Sequence, residues 1–209
     1  MTTYGRTPVA WPADPRSRAA LERALAGGDP FGGVSADLRG ADLTGLDLAA
    51  ADLTGANLTG VRLVRANLAA ARLRGAELTS ANLSGAELAR AEADRLHAPG
   101  AALRAAHLFA ADLVRAVLTG ADLRDALLNS ATLIGADLRG ADLRAASLRY
   151  CVLGTPAAPL RLAGVRLDGA ALTGAVGCVS GAAAVGDEVL AGPALTAWLR
   201  GRGCVMLSP

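Results

Sequence analysis

The chain of 209 residues has very few aromatic side chains, two each of Phe, Tyr and Trp or 3% of the total, although 52% of it is hydrophobic. Aromatic rings supply much of the buried area in an irregular core, so burial here must come from Ala, Leu and Val, which favours a regular architecture in one domain. Lysine is absent, and all 21 positive residues are Arg. That bias suits either Arg forks for phosphate or carboxylate or a GC-rich coding sequence. Three cysteines, Cys151, Cys178 and Cys204, have neither metal nor redox spacing, and their odd number makes a poor disulfide framework, so a reducing cytoplasm is expected. The longest uncharged run, residues 169–186, is mostly Gly and Ala with a single Leu. It is too weakly apolar for a membrane span, and the N-terminus shows no signal-like apolar segment. A net charge of +2 lacks the basic excess that direct nucleic-acid binding needs.

A period of five is what the chain does have. From residue 36 it reads ADLRG, ADLTG, LDLAA, ADLTG, ANLTG, and the phase persists through residue 155 as 24 pentapeptides. Leu holds the central position in 22 of them, Ala93 and Ala98 being the exceptions. Ala holds the position two before it in 20, the exceptions being Leu46, Val61, Leu96 and Cys151.

A helix cannot use this pattern, because five residues advance about 500° and leave successive Leu about 140° apart. In extended chain, residues two apart share a face, so Ala and Leu point inward and the residue between them points out. The last two positions, often Thr or Arg then Gly, turn a corner, which Gly accommodates by accepting positive φ. Each pentapeptide is thus one short wall around a column of stacked Leu.

The repeats resemble the pentapeptide-repeat family, whose consensus is A(D/N)LXX, almost without gaps over 36–155. That resemblance implies an all-β solenoid, a right-handed quadrilateral β-helix with four pentapeptides per coil. Residues 36–155 then make six coils, a rod of roughly 29 Å at about 4.8 Å per coil. Shifted repeats LRLAG, VRLDG and AALTG follow within residues 156–179, after the short insertion between Pro156 and Pro159. In residues 91–100 Ala93 and Ala98 reduce the inward volume and Pro99 removes a backbone donor, which reads either as a defect repaired by Leu96 or as a bend in the rod.

A solenoid must cover its ends. Residues 1–35 form an extension in which Asp14, Pro15 and the run to Ala26, closed by Gly27 and Gly28, predict a short capping helix presenting Leu21 and Leu25. In residues 180–209, Pro193 opens a predicted helix with Leu195, Trp198 and Leu199 on one face and Arg200 and Arg202 at its negative end. Those three residues are candidates for a homodimer interface, or the helix only caps the last coil.

Candidate chemistry is sparse. His97 and His107 occupy equivalent outward positions two walls apart, on opposite sides of the rod, and cannot share a metal. Asp37, Asn57 and Glu77 fall in one column 20 residues apart and read as a surface ladder rather than an acid/base pair. No phosphate loop, nucleophile elbow or metal spacing occurs, so no catalytic residue, metal or cofactor is expected and the chain reads as not an enzyme. Arg104, Arg124 and Arg144 form an outward column with Asp122 and Asp142 beside it, either an anion-contacting stripe or a self-compensated ladder. Phe109, Val114, Leu127 and Ile134 collect on adjoining walls, open to a protein partner or covered by the C-terminal segment.

The expected function is a non-catalytic protein-interaction scaffold. The family resemblance also implies an alternative, since several bacterial members bind DNA gyrase as duplex mimics, confer quinolone resistance and dimerise through a C-terminal helix. Duplex mimicry asks for an acidic surface, whereas residues 36–155 hold 13 Asp or Glu against 13 Arg.

Overall fold

The computed structural model describes residues 37–207, together with Pro15, Arg18, Ala19, Leu21 and Glu22 in an N-terminal helical segment. Leu25 and the helix-end signals at Asp14 and Gly27 lie outside the described residues. Leu21 is fully buried and belongs to the same core cluster as the Leu column.

The chain forms a β-helix with a 20-residue coil. Parallel bridges join each outward residue to the one 20 positions later, from Asp37↔Asn57 to Thr132↔Val152, four per coil. Four walls result. Wall one carries Asp37, Asn57, Glu77, His97, Val117 and Asp137; wall two runs from Asp42 to Asp142, wall three from Asp47 to Ser147, and wall four from Asp52 to Val152. Between coils, the central residue donates its N–H to the outward residue of the next coil, as from Leu38 to Asn57 at 2.8 Å. The outward residue donates back to the previous coil, as from Arg62 to Ala41 at 2.9 Å. Ala and Leu of every wall are buried in a single apolar cluster.

Corners are β-turns closed by a bond from the next Ala to the Leu carbonyl, such as Ala51 to Leu48 at 3.0 Å. From Gly40 to Tyr150 the fifth position has positive φ whether or not it is Gly, from 54° at Arg65 to 69° at Gly140. Type II turns require positive φ at their third residue, and non-Gly residues held there cost about 1–2 kcal/mol each. Geometry therefore explains the preference for Gly, and stacking overrides it at Ala50, Arg65, Ala70 and Tyr150.

Pairing continues unbroken through residues 91–100, with Arg72↔Glu92↔Asp112 and Glu77↔His97↔Val117 in register. Pro99 stands at the fourth position of its repeat, whose N–H makes no bond to backbone in any described repeat of this region. Proline therefore removes no rung bond here, contrary to the sequence reading. Ala93 and Ala98 leave an internal apolar cavity of about 10 Å³, lined also by Leu88, Leu96, Leu108 and Leu113. Ala93→Leu is expected to raise stability by about 1–2 kcal/mol by filling it. Urea unfolding checks this; a loss of stability would mean that Leu96 already occupies the space.

After Val152 the bridge spacing becomes 24, as in Asp137↔Arg161 and Val152↔Val176. The chain loops out around Pro156 and Pro159 and rejoins walls one, two and four in β1 (Leu160–Arg161), β2 (Val165–Arg166) and β3 (Val176–Gly177), and wall three at Ala171. A Cβ on Gly154 would lie 2.6 Å from both the Cys178 carbonyl oxygen and the Leu160 nitrogen, so only glycine lets the loop enter and leave there. β4 (Val179–Ser180) and β5 (Ala182–Val185) stack on β1 and β2, and β6 (Glu188–Ala191) folds back antiparallel on β5. The helix Gly192–Gly201 and β7 (Val205–Met206), paired with β3, finish the C-terminal end.

Candidate functional site

The outward residue of each wall has a local task that the sequence reading missed. The fourth-position N–H lacks a backbone partner, and the Asp or Asn two residues earlier accepts it: Thr44 to Asp42 at 3.1 Å, Ala69 to Asn67 at 3.1 Å, Val114 to Asp112 at 3.1 Å. Short Asx side chains reach the backbone two residues on, which places Asp or Asn before Leu for structural reasons. The i to i+2 spacing of Asx and the turn in the sequence carried that signal.

Several of the outward carboxylates, Asp42, Asp52, Asp122 and Asp142 among them, also pair with Arg along or between coils. Arg124 binds Asp122 through two bonds at 2.7 and 2.6 Å, and Arg144 binds Asp142 at 2.9 and 2.6 Å. Arg104 reaches Asp125 at 3.2 Å. The Arg104–Arg124–Arg144 column is therefore neutralised within the chain. Hydrogen bonds from Arg124 and Arg144 hold Asp122 and Asp142 below the usual carboxylate range, against the opposing effect of burial.

His97 lies on wall one beside Glu77 at 3.5 Å and His107 on wall three beside Glu87 at 2.9 Å, so the two stand on opposite sides. Among the described residues no group of His, Cys, Asp and Glu is placed to hold a metal ion. The three cysteines are free and buried; burial pushes the Cys151 thiol up to about 12 and Cys204 to about 11. No helix among the described residues is long and apolar enough to cross a membrane.

The four apolar candidates do not form one patch. Leu127 is on wall three and Phe109 on the ridge between walls three and four, both exposed. Val114 and Ile134 are half-buried on the ridge beyond wall four, with Asp112 and Thr132 between the two pairs. Phe109 and Leu127 stay uncovered by the C-terminal segment, which closes the end of the rod. Sequence reasoning missed what extends their side: Tyr150, Val152, Val176 and Val205, the last three bridged in one wall-four column. The insertion hides that column, because its spacing changes from 20 to 24 and then to 29.

Of the two uses open to the C-terminal helix, dimer interface or cap, the burial of its apolar face favours the cap. Leu195 and Leu199 are each 1% exposed in the single chain, packed into the core as its C-terminal lid. Trp198 packs partly buried beside them with the Arg202 guanidinium 3.8 Å from its ring centroid. The same apolar spacing serves a lid or an interface, and the open end of the Leu column claims it first. Leu199→Ala is expected to cost about 2–4 kcal/mol without changing the mass in solution. Light scattering showing a dimer that this substitution dissociates would contradict the lid.

The family described as pentapeptide repeats matches the chain in eight copies, over residues 34–69, 62–95 and 111–149. No curated protein matches it. Among solved structures, a trypsin-treated form of QnrB1, described as a plasmid-mediated fluoroquinolone resistance protein, is 15% identical with a TM-score of 0.53, covering 69% of this chain and 82% of its own. HetL of the cyanobacterium Nostoc, described as involved in heterocyst differentiation regulation, is 33% identical over 68% of this chain and 72% of its own, with a TM-score of 0.26. A thylakoid-lumen pentapeptide repeat protein of Arabidopsis thaliana is 29% identical over 60% of this chain and 79% of its own, with a TM-score of 0.21. The 20-residue coil, the Asx-capped turns and the matched repeats agree, and the chain belongs to the pentapeptide-repeat family.

Proposed function

We propose that the protein is a non-catalytic interaction scaffold, a right-handed rod of square section whose rigid walls present side chains to a protein partner in a reducing compartment. The contrast between interior and exterior carries this reading. Inside, Ala and Leu repeat with little change; outside, each wall has its own column of residues fixed at the coil spacing of about 4.8 Å. A surface held by stacked coils loses little conformational freedom on binding, which favours recognition.

A topoisomerase-binding duplex mimic is the second reading, supported by the likeness of fold to QnrB1. Against it stands the matching of carboxylates by Arg at Asp122, Asp137 and Asp142, which removes the negative column that a duplex presents. DNA gyrase supercoiling, with and without a fluoroquinolone, separates the two. The scaffold reading expects neither inhibition nor protection at micromolar protein; protection would establish the second.

A further inference from the structure

The C-terminal half of the rod has two unlike sides. Residues 116–178 hold eleven charged side chains, and ten of them lie on walls one and two and the ridges that follow these walls: Asp137, Arg139 and Arg161, then Asp122, Arg124, Asp125, Asp142, Arg144, Arg166 and Asp168. Walls three and four with the ridge between them carry one, Arg149, and no carboxylate. Arg149 makes no ion pair among the described residues. On this side Leu127, Tyr150, Val152, Val176 and Val205 are exposed, with Phe109 one coil below. Tyr150 is 65% exposed, yet its ring lies against Gly174 of the next coil, since a Cβ there would fall 2.5 Å from Tyr150 Cδ1 and 2.7 Å from Cε1.

Resting on the scaffold reading, we infer that walls three and four, from the fifth coil to β7, dock an extended segment of a partner protein that combines apolar side chains with carboxylates. Charge complementarity selects this occupant: over residues 116–178 the face offers Arg149 as an unmatched cation within an apolar field and no carboxylate, and Arg202 adds a second positive side chain beside Ala171 and Thr173 at the end of wall three. Tyr and Arg on a rigid support are the side chains most often found to dominate binding. Two walls about 10 Å wide and four stacked levels long, Thr132, Val152, Val176 and Val205 on wall four, make about 400 Å². That is well below the ~800 Å² per partner of a stable protein interface, and a second copy would bring Arg149 with nothing to receive it. A segment of five or six extended residues, about 18 Å long, matches the patch.

The test is a selection of displayed random 12-residue peptides against the full chain, followed by titration of the most enriched peptide. Selected peptides should combine Leu, Phe or Trp with Asp or Glu. Arg149→Glu and Tyr150→Ala should each weaken binding tenfold or more, while Arg166→Ala on wall two changes it less than twofold and all three variants keep the wild-type unfolding midpoint. Peptides that ignore Arg149→Glu and Tyr150→Ala, or that are lost on Arg166→Ala, would overturn this surface and leave the scaffold reading standing. A selection that yields no binder to any wall would overturn both. Vesicles of phosphatidylserine and phosphatidylcholine that bind the wild-type chain but not Arg149→Glu would overturn it in favour of a membrane-facing side.

Discussion

Leu133→Ala should lower stability by about 3–5 kcal/mol, the upper part of the range for a buried Leu truncation. Leu133 is fully buried in the fifth coil, and its N–H is bonded to the Val152 carbonyl at 2.7 Å. Removing the side chain leaves a void that the flanking coils cannot close without breaking their own rungs, because every wall is pinned at the same spacing. Leu108→Ala is expected to cost less, since Leu108 already borders the cavity left by Ala93 and Ala98 and its surroundings are looser. Urea unfolding of both variants checks the order. Because coils contact only their neighbours, Leu133→Ala should also split the transition, unfolding the C-terminal coils first. Equal losses at the two positions would contradict a core packed to different densities along the rod.

The second large effect is expected at Asp137, the buried acidic residue that joins the sixth coil to the shifted seventh. Its side chain is 9% exposed and takes Arg139 at 2.8 and 2.7 Å, Arg161 at 2.9 Å and the Arg139 backbone N–H at 3.2 Å. Asp137↔Arg161 is the first bridge across the four-residue insertion, so this carboxylate ties the chain on either side of the loop. Asp137→Asn keeps the acceptor for the backbone N–H but strands two guanidinium groups, which are themselves about half exposed; about 1.5–3 kcal/mol is the expected cost at pH 7. Asp137→Ala loses the acceptor as well and should cost about 1 kcal/mol more. Hydrogen bonding from Arg139, with the charge of Arg161 added, holds the Asp137 carboxyl below the usual range although burial acts to raise it. A carboxyl whose folded pKa lies below its unfolded one stabilises the fold above the unfolded pKa, about 4, and that stability is lost as pH falls through the folded pKa. The difference between wild type and Asp137→Asn should therefore be full at pH 7 and shrink below pH 4. A difference that persists unchanged at pH 2 would show that the charge of Asp137 is not what joins the coils.

Much of the β-helix was legible because the interior is written directly in the sequence. Ala, one outward residue and Leu can only be an extended wall, and a period of five excludes a helical face. The task of the outward residue was harder to see, because a surface position invites a surface explanation; only the bond from Thr44 N–H to Asp42 shows that Asx closes the turn from inside the repeat. Pro99 was misjudged for the same reason, since the fourth-position N–H has no rung bond to lose. Leu195 and Leu199 were legible as an apolar face for either a cap or a dimer interface, and amphipathic spacing alone does not say which of the two it meets. The uncharged side of the rod was invisible along the chain: Tyr150, Val152, Val176 and Val205 come together only once the insertion around Pro156 has shifted the count from one coil to the next.

Removal of whole coils tests the 20-residue stack most directly. Deleting residues 56–75 joins Gly55 to Ala76 and keeps every wall in its column, with Asp37 now facing Glu77. Circular dichroism and small-angle scattering should show a cooperatively folding β-rod shorter by about 4.8 Å. Deleting residues 56–73, two fewer, leaves Arg74 and Gly75 as an insertion at one corner, which should loop out as the four residues near Pro156 do and lower stability without abolishing the rod. A chain that no longer folds once residues 56–75 are removed, or a rod whose length that deletion leaves unchanged, would contradict stacked coils of 20 residues.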